Sequence, residues 1–380
     1  MTTVSAPGTH APAEGPGPDA PRPAGRRPRT PVVDADIHPA VVPARLAVEL
    51  PAPWRRRYER FGVRGAPPPA IYPRVRNGGM RADAHPSSGP PGSDLGLLRE
   101  QLLDAYDLVA GVLIPLQGHT WGAEEPAYAA ALCRALNDIQ VSDFLDPEPR
   151  LRASICIPHE SPEHAVAEIE RRAGDPRFVQ VLFPSGTHLP VADAKYRPIY
   201  ATAAAAGLPI GMHLGGTEGH RGDGWPSFYL EQHGWYGNAM AMALTSLVAG
   251  GVFDELPDLR LVLVEGGITW LPSLLWGLDS GWAAFRDDVP GLHRPPSEIV
   301  RERCWFTTQP IDEPENLAHL ATTLRHAGLT GRILFASDYP HWDFDDPVTA
   351  LRVLPADVRR PIMARNAAAL YGVDLPGDAP

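Results

Sequence analysis

Short apolar runs recur along the chain, several closing on a polar residue, and most are separated from the next by a stretch of helical periodicity. Eight such runs read as strands, at residues 32–38, 108–114, 152–157, 178–183, 209–214, 260–265, 303–308 and 332–337. Between most of them apolar positions return at helical spacing, over 97–106, 127–144, 162–173, 194–206, 239–249 and 314–326. A closing helix is predicted over 358–371. Strands alternating with helices in this number predict an α/β chain folded as a (β/α)8 barrel. An open doubly wound sheet is the alternative. It would usually have fewer strands and a Gly-rich phosphate loop, and the sequence has no such loop.

Two connections are longer than a strand-to-helix turn requires. Residues 39–93, after the first strand, contain a helix around 54–61 and then a Pro/Gly-rich stretch carrying Tyr72, Arg74, Arg76, Asn77, Arg81, Asp83 and His85. Residues 217–237, after the fifth, carry His220, Arg221, Asp223, Trp225, Tyr229, Glu231, His233 and Trp235. Both leave the carboxyl end of a strand, where barrels of this kind keep their chemistry, so both are expected to overhang a site. Residues 1–30 are rich in Pro, Ala and Gly and are expected to form a disordered tail, with the barrel over 31–375.

The polar residues that close the strands are of matching type. Asp34, Asp36 and His38 alternate along the first strand, so that Asp36 and His38 point the same way. His213 ends the fifth, Glu265 the sixth and Asp338 the eighth. Asp36, His38, His213 and Asp338 together suit one divalent ion, Zn²⁺ or Mn²⁺ by preference, with positions open to water or substrate. Each has a plainer reading. Asp36 and His38 could be a polar strand exit, His213 a satisfied buried histidine, and Asp338 a helix cap. Glu265 could cap the Gly266-Gly267 turn. Asp338 and Glu265 are the candidate catalytic acid–base groups. His119 and His341 lie near strand exits. With Arg74, Arg76 and Arg81 they are the candidates for binding an acidic substrate.

Composition narrows the partners. Asp and Glu number 45 against 34 Lys and Arg, a net charge of −11, which argues against nucleic acid and leaves a small molecule as the expected substrate. No apolar stretch is long enough for a membrane span, and the N-terminus has no signal-peptide pattern. The three cysteines, Cys133, Cys156 and Cys304, are far apart and suggest neither a disulfide framework nor a zinc knuckle. A cytoplasmic location is the simplest expectation, and a homo-oligomer stays open.

The pieces Asp34-Ala35-Asp36-Ile37-His38-Pro39, Met212-His213-Leu214, residues 252–260, Val264-Glu265-Gly266-Gly267 and Ser337-Asp338-Tyr339-Pro340-His341 occur in this order and spacing. In them the chain resembles the metal-dependent amidohydrolase superfamily, in its branch related to aminocarboxymuconate semialdehyde decarboxylase, from residue 32 to about 371. The resemblance implies a divalent metal on Asp36, His38, His213 and Asp338. An acid in place of the first His of a His-x-His pair is the pattern of several aromatic-acid decarboxylases. No Lys closes the fourth strand, so the resemblance implies one metal rather than two. Where such decarboxylases commonly place a His at the end of the sixth strand, this chain has Glu265. On that departure the first expectation is hydrolysis of a small organic, or aromatic, acid or amide by a metal-activated water. Non-oxidative decarboxylation of an aromatic or unsaturated acid is the alternative, and a non-catalytic ligand-binding barrel the second.

Overall fold

The computed structural model describes residues 30–63, 74–216, 226–316 and 318–376. Residues 1–29 of the expected tail lie outside the described residues, as do Tyr72, His220, Arg221, Asp223 and Trp225. Eight strands follow one another in chain order around one sheet. They are β1 (Val33–Ile37), β2 (Ala110–Leu113), β3 (Leu151–Cys156) and β4 (Phe178–Gly186), then β5 (Ile210–Gly216), β6 (Leu261–Val264), β7 (Cys304–Thr307) and β8 (Ile333–Leu334). All seven sequential pairings are parallel. The ring is drawn together between β8 and β1. Ala35 N–H donates to Phe335 O (2.9 Å), Asp338 N–H to Asp36 O (3.2 Å) and His38 N–H to Tyr339 O (2.8 Å). The predicted (β/α)8 barrel is the architecture that forms.

Helices cover the outside. They include Pro126–Ile139, Pro162–Arg172, Arg197–Ala205, Tyr236–Ala249, Leu271–Phe285, Pro296–Arg303 and Ala318–Ala327, with Asn366–Tyr371 near the end of the chain. Proline sits in the first turn of many of them, where its missing N–H has no intrahelical partner to lose. Part of the chain's abundant proline therefore marks helix starts. Tyr371 donates its hydroxyl to Gln180 Oε1 (2.9 Å), and Gln180 donates to Ser154 Oγ (2.9 Å), tying the last helix to β3 and β4. Gly211 on β5 is needed beside this bridge, because a Cβ there would lie 2.6 Å from Gln180 Cδ. All three cysteines are free and buried.

Both insertions come to the exit of β8. The first returns through Met80, which forms an antiparallel bridge with His341, while Trp342 N–H donates to Gly79 O (3.0 Å) and Arg81 N–H to Pro340 O (3.0 Å). The second places the helix Tyr229–Gly234 there, with Trp342 Nε1 donating to Tyr229 Oη (3.1 Å).

The alternation of β1 is broken. Its register against β2 shifts between Asp34 and Ile37. Asp34 Oδ1 accepts from Asp36 N–H (3.2 Å) and Ser337 N–H (2.9 Å), all buried, which fastens β1 to the end of β8. Asp34→Ala should leave two buried N–H groups unpaired and cost roughly 2–4 kcal/mol, whereas Asp34→Asn keeps an acceptor oxygen. Thermal melting of the two variants checks this: a clear drop for Ala, a small one for Asn. Equal melting temperatures for Ala and the parent would contradict the role.

Candidate metal centre

Three strand exits supply one cluster of ligand-type atoms. Asp36, His38 and His213 bring a carboxylate oxygen and two ring nitrogens within 4.8 Å of one another, and His38, Asp338 and His341 form a second such group. His38 belongs to both, so the two groups are parts of one site. Its Nε2 lies 2.7 Å from Asp338 Oδ1 and 3.3 Å from Asp36 Oδ1. His213 Nε2 lies 3.9 Å from Asp36 Oδ2.

The histidines are aimed by their other nitrogens. His38 Nδ1 is 2.8 Å from Ile114 O and His213 Nδ1 is 2.7 Å from Leu214 O. A carbonyl only accepts, so Nδ1 carries the proton in each ring and Nε2 faces the cluster with its lone pair in the neutral form. Both oxygens of Asp36 are buried and accept no hydrogen bond among the described residues. A fully buried carboxylate without donors is unfavourable unless a cation joins it. The donor set and these orphaned oxygens fit a divalent ion.

Glu265 and Asp338 both adopt left-handed backbone conformations at their strand exits, with φ of 62° and 59°. Such conformations are strained, more so for Glu than for Asp, and cluster at functional sites. Glu265 Oε2 lies 3.0 Å from His213 Nε2, and Glu265 N–H donates to Thr307 Oγ1 (3.0 Å). His341 Nδ1 lies 2.5 Å from Asp338 Oδ1, and its ring meets that of His38 at 4.8 Å.

In the metal-free protein these neighbours move one another's protons. Burial pushes Asp36 up to about 7 and raises Asp338 above the usual carboxylate range. It pulls His38 down to about 4. Burial would also lower His213, but Glu265 and Asp36 outweigh it and raise that ring to about 9. The same pair works in reverse on Glu265, where burial is outweighed by His213 and the carboxyl is held below its ordinary value. His341, partly buried beside Asp338, is raised by that carboxylate to about 10.

The structure thus brings together Asp36, His38, His213, Asp338, Glu265 and His341. It places the other candidates elsewhere or leaves them undescribed. Arg74 and Arg76 are exposed. Arg81 is turned to Asp83 (2.9 and 2.6 Å) and over the ring of Phe344. His119 belongs to the short helix Gly118–Ala123 after β2, and its side chain lies outside the described residues. Trp270, an aromatic near the β6 exit, donates Nε1–H to Gly266 O (2.8 Å) and packs against Phe306.

Sequence reading passed over one group. Asp343 Oδ2 lies 2.8 Å from His233 Nε2 and accepts from Gln309 Nε2 at 2.8 Å. Gln309 follows β7, one of the strands for which no polar exit residue was singled out. The run Thr307-Thr308-Gln309 after apolar residues was the available signal.

The chain is similar to several known proteins. A γ-resorcylate decarboxylase of Rhodococcus jostii is 24% identical over 307 residues, spanning 74% of this chain and 88% of that protein. Among solved structures, a dihydroxybenzoic acid decarboxylase from a Polaromonas species, with bound manganese and the inhibitor 2-nitroresorcinol, superposes with a TM-score of 0.64. It is 20% identical, and the match covers 91% of this chain and 98% of that one. The 5-carboxyvanillate decarboxylase of Novosphingobium aromaticivorans, complexed with manganese, gives a TM-score of 0.67 at 16% identity, covering 93% and 100%. The family model described as Amidohydrolase matches residues 33–373. The chain belongs to the amidohydrolase family and is an enzyme of the hydrolase or carboxy-lyase class.

Proposed function

We propose that the protein is a metal-dependent, non-oxidative decarboxylase of a hydroxylated aromatic carboxylic acid, working with one Mn²⁺ or Zn²⁺ ion. The observation that carries this reading is the place of Glu265. It stands outside the four-donor set of Asp36, His38, His213 and Asp338, yet lies 3.0 Å from His213 Nε2, so a third carboxylate borders the metal position. The names of the related proteins favour decarboxylation over the hydrolysis that Glu265 first suggested.

A divalent ion on those four residues would supply Lewis acidity to a substrate carboxylate and a neighbouring oxygen. The side chains do the rest. His38 and His213 keep their Nδ1 protons on the Ile114 and Leu214 carbonyls and so hold their orientation. Glu265 accepts the proton of a ring hydroxyl, which pushes electron density toward the carbon bearing the carboxylate. Asp338 delivers a proton to that carbon. The C–C bond then breaks, its electron pair restores the aromatic ring, and CO₂ leaves. Glu265 returns its proton to the ring oxygen, and Asp338 is reprotonated through the mouth, past His341. The net change is uptake of one proton for each CO₂ released. Acid and base roles on two buried carboxyl groups in different surroundings follow a familiar logic.

Removing ligands and removing acid–base groups should give different losses. Asp36→Ala and His213→Ala should lower metal affinity, read by elemental analysis after dialysis against a weak chelator. Glu265→Gln should keep the metal and lose turnover by roughly 10²-fold or more. Loss of metal from Glu265→Gln, on a par with His213→Ala, would make Glu265 a ligand instead.

The reaction itself is tested with the metal-loaded enzyme and a panel of hydroxybenzoic acids and aryl amides in D₂O and, separately, in ¹⁸O-water. The expected outcome is CO₂ release, with one deuterium at the ring position vacated. Incorporation of ¹⁸O into a product without CO₂ release would overturn decarboxylation and restore hydrolysis.

A further inference from the structure

The exits of three strands meet on one carboxylate oxygen. Asp343, five residues beyond Asp338, takes His233 Nε2 at 2.8 Å from the helix after β5 and Gln309 Nε2 at 2.8 Å from the exit of β7. A carboxylate oxygen accepts and cannot donate, so the amide of Gln309 must turn its nitrogen toward Asp343. Its oxygen is thereby turned away. Gln309 is 1% exposed, and its Oε1 is buried and accepts no hydrogen bond among the described residues. A buried acceptor left unsatisfied is unfavourable, and one whose orientation is enforced by a neighbouring charge calls for a donor that arrives with a ligand.

The position of Gln309 suits such a ligand. Around the barrel mouth the polar exits run His213, Glu265, Gln309 and Asp338, on β5, β6, β7 and β8 in turn. The segment before Gln309 is pinned from both sides. Thr307 Oγ1 accepts Glu265 N–H (3.0 Å), and Thr308 Oγ1 accepts Ala336 N–H (3.1 Å). Gln309 therefore stands between the proposed base and the proposed acid. His233 is surrounded by rings: Tyr236 at 5.1 Å, Trp342 at 5.7 Å and Tyr229 at 5.9 Å between centroids. These make a flat-sided wall beside the polar group.

We infer that Gln309 Oε1 is a specificity-determining acceptor, reading a hydroxyl on the substrate ring other than the group chelated at the metal, with Asp343 and His233 as the positioning residues that fix its amide. The inference deepens the decarboxylase reading and rests on it for the substrate class. It adds a second point of recognition on the β7 side of the mouth, separate from the metal ligands on β1, β5 and β8. A site that fixes an acceptor for a hydroxyl discriminates well against the analogue lacking it.

The test uses full-length, Mn²⁺-loaded enzyme and pairs of benzoic acids. Each pair shares a carboxylate with one ortho hydroxyl, and one member has a further hydroxyl, placed in turn at each remaining ring position. Dissociation constants are read by tryptophan fluorescence, and CO₂ release is measured alongside. The parent enzyme should bind at least one dihydroxy acid tenfold or more tighter than its monohydroxy partner. Gln309→Leu, similar in size but without the acceptor, should bring that ratio close to one with metal content unchanged. Asp343→Asn, which no longer enforces the amide orientation, should give an intermediate ratio and serves if Gln309→Leu fails to fold. The inference is overturned if the parent shows no such preference, if no benzoic acid binds, or if the foldable variants keep the parent's ratio. Selective binding without CO₂ release would leave Gln309 as the reader of the hydroxyl and remove the decarboxylase reading instead.

Discussion

Everything in the site depends on the seam between β8 and β1. Asp36 and Asp338 are about as far apart in sequence as the barrel allows, yet Asp338 N–H donates to Asp36 O (3.2 Å). His38 N–H reaches Tyr339 O at 2.8 Å in the same seam. Asp34 adds a side-chain clasp to Ser337. These backbone contacts set His38 Nε2 2.7 Å from Asp338 Oδ1 without any direct requirement on the side chains between them. A shift of one residue at this seam would turn one set of donors away from the other.

The seam concentrates negative charge where water is scarce. Asp36, Asp338 and Glu265 are all buried around the mouth. Without a cation, burial pushes Asp36 up to about 7, while Glu265 and Asp36 outweigh burial at His213 and raise that ring to about 9. A divalent ion resolves the same problem with a single charge centre and would replace those protons. The chemistry then falls to the groups around it, with Glu265, Asp338 and Gln309 occupying three successive exits from β6 to β8.

Much of this could be read from the sequence because a parallel strand buried on both faces leaves a plain apolar run, and a polar residue at its end has few structural reasons to be there. Each of the eight predicted runs overlaps an observed strand, and Asp36, His38, His213, Glu265 and Asp338 meet in space. Other features had no local signature. The register shift in β1 and the clasp of Asp34 on Ser337 leave the pattern of residue types unchanged. Gln309 and Asp343 look like ordinary loop polars until the β7 and β8 exits are placed side by side. The bridge from Met80 to His341 depends on where a long insertion returns, which periodicity does not record. Replacement of a His by Glu265 weighted the first functional expectation toward hydrolysis. Comparison with known decarboxylases shifts that weight.

The central claim is that one divalent ion is held where β1, β5 and β8 open into the mouth. Anomalous diffraction from crystals grown with Mn²⁺, collected on both sides of the manganese absorption edge, addresses it most directly. The account predicts a single strong anomalous peak per chain, at roughly 2.0–2.3 Å from donor atoms of Asp36, His38, His213 and Asp338, with Glu265 and Gln309 beyond bonding distance. A second strong peak in the mouth, a peak bonded to Glu265 in place of one of the four, or no peak after reconstitution would contradict it.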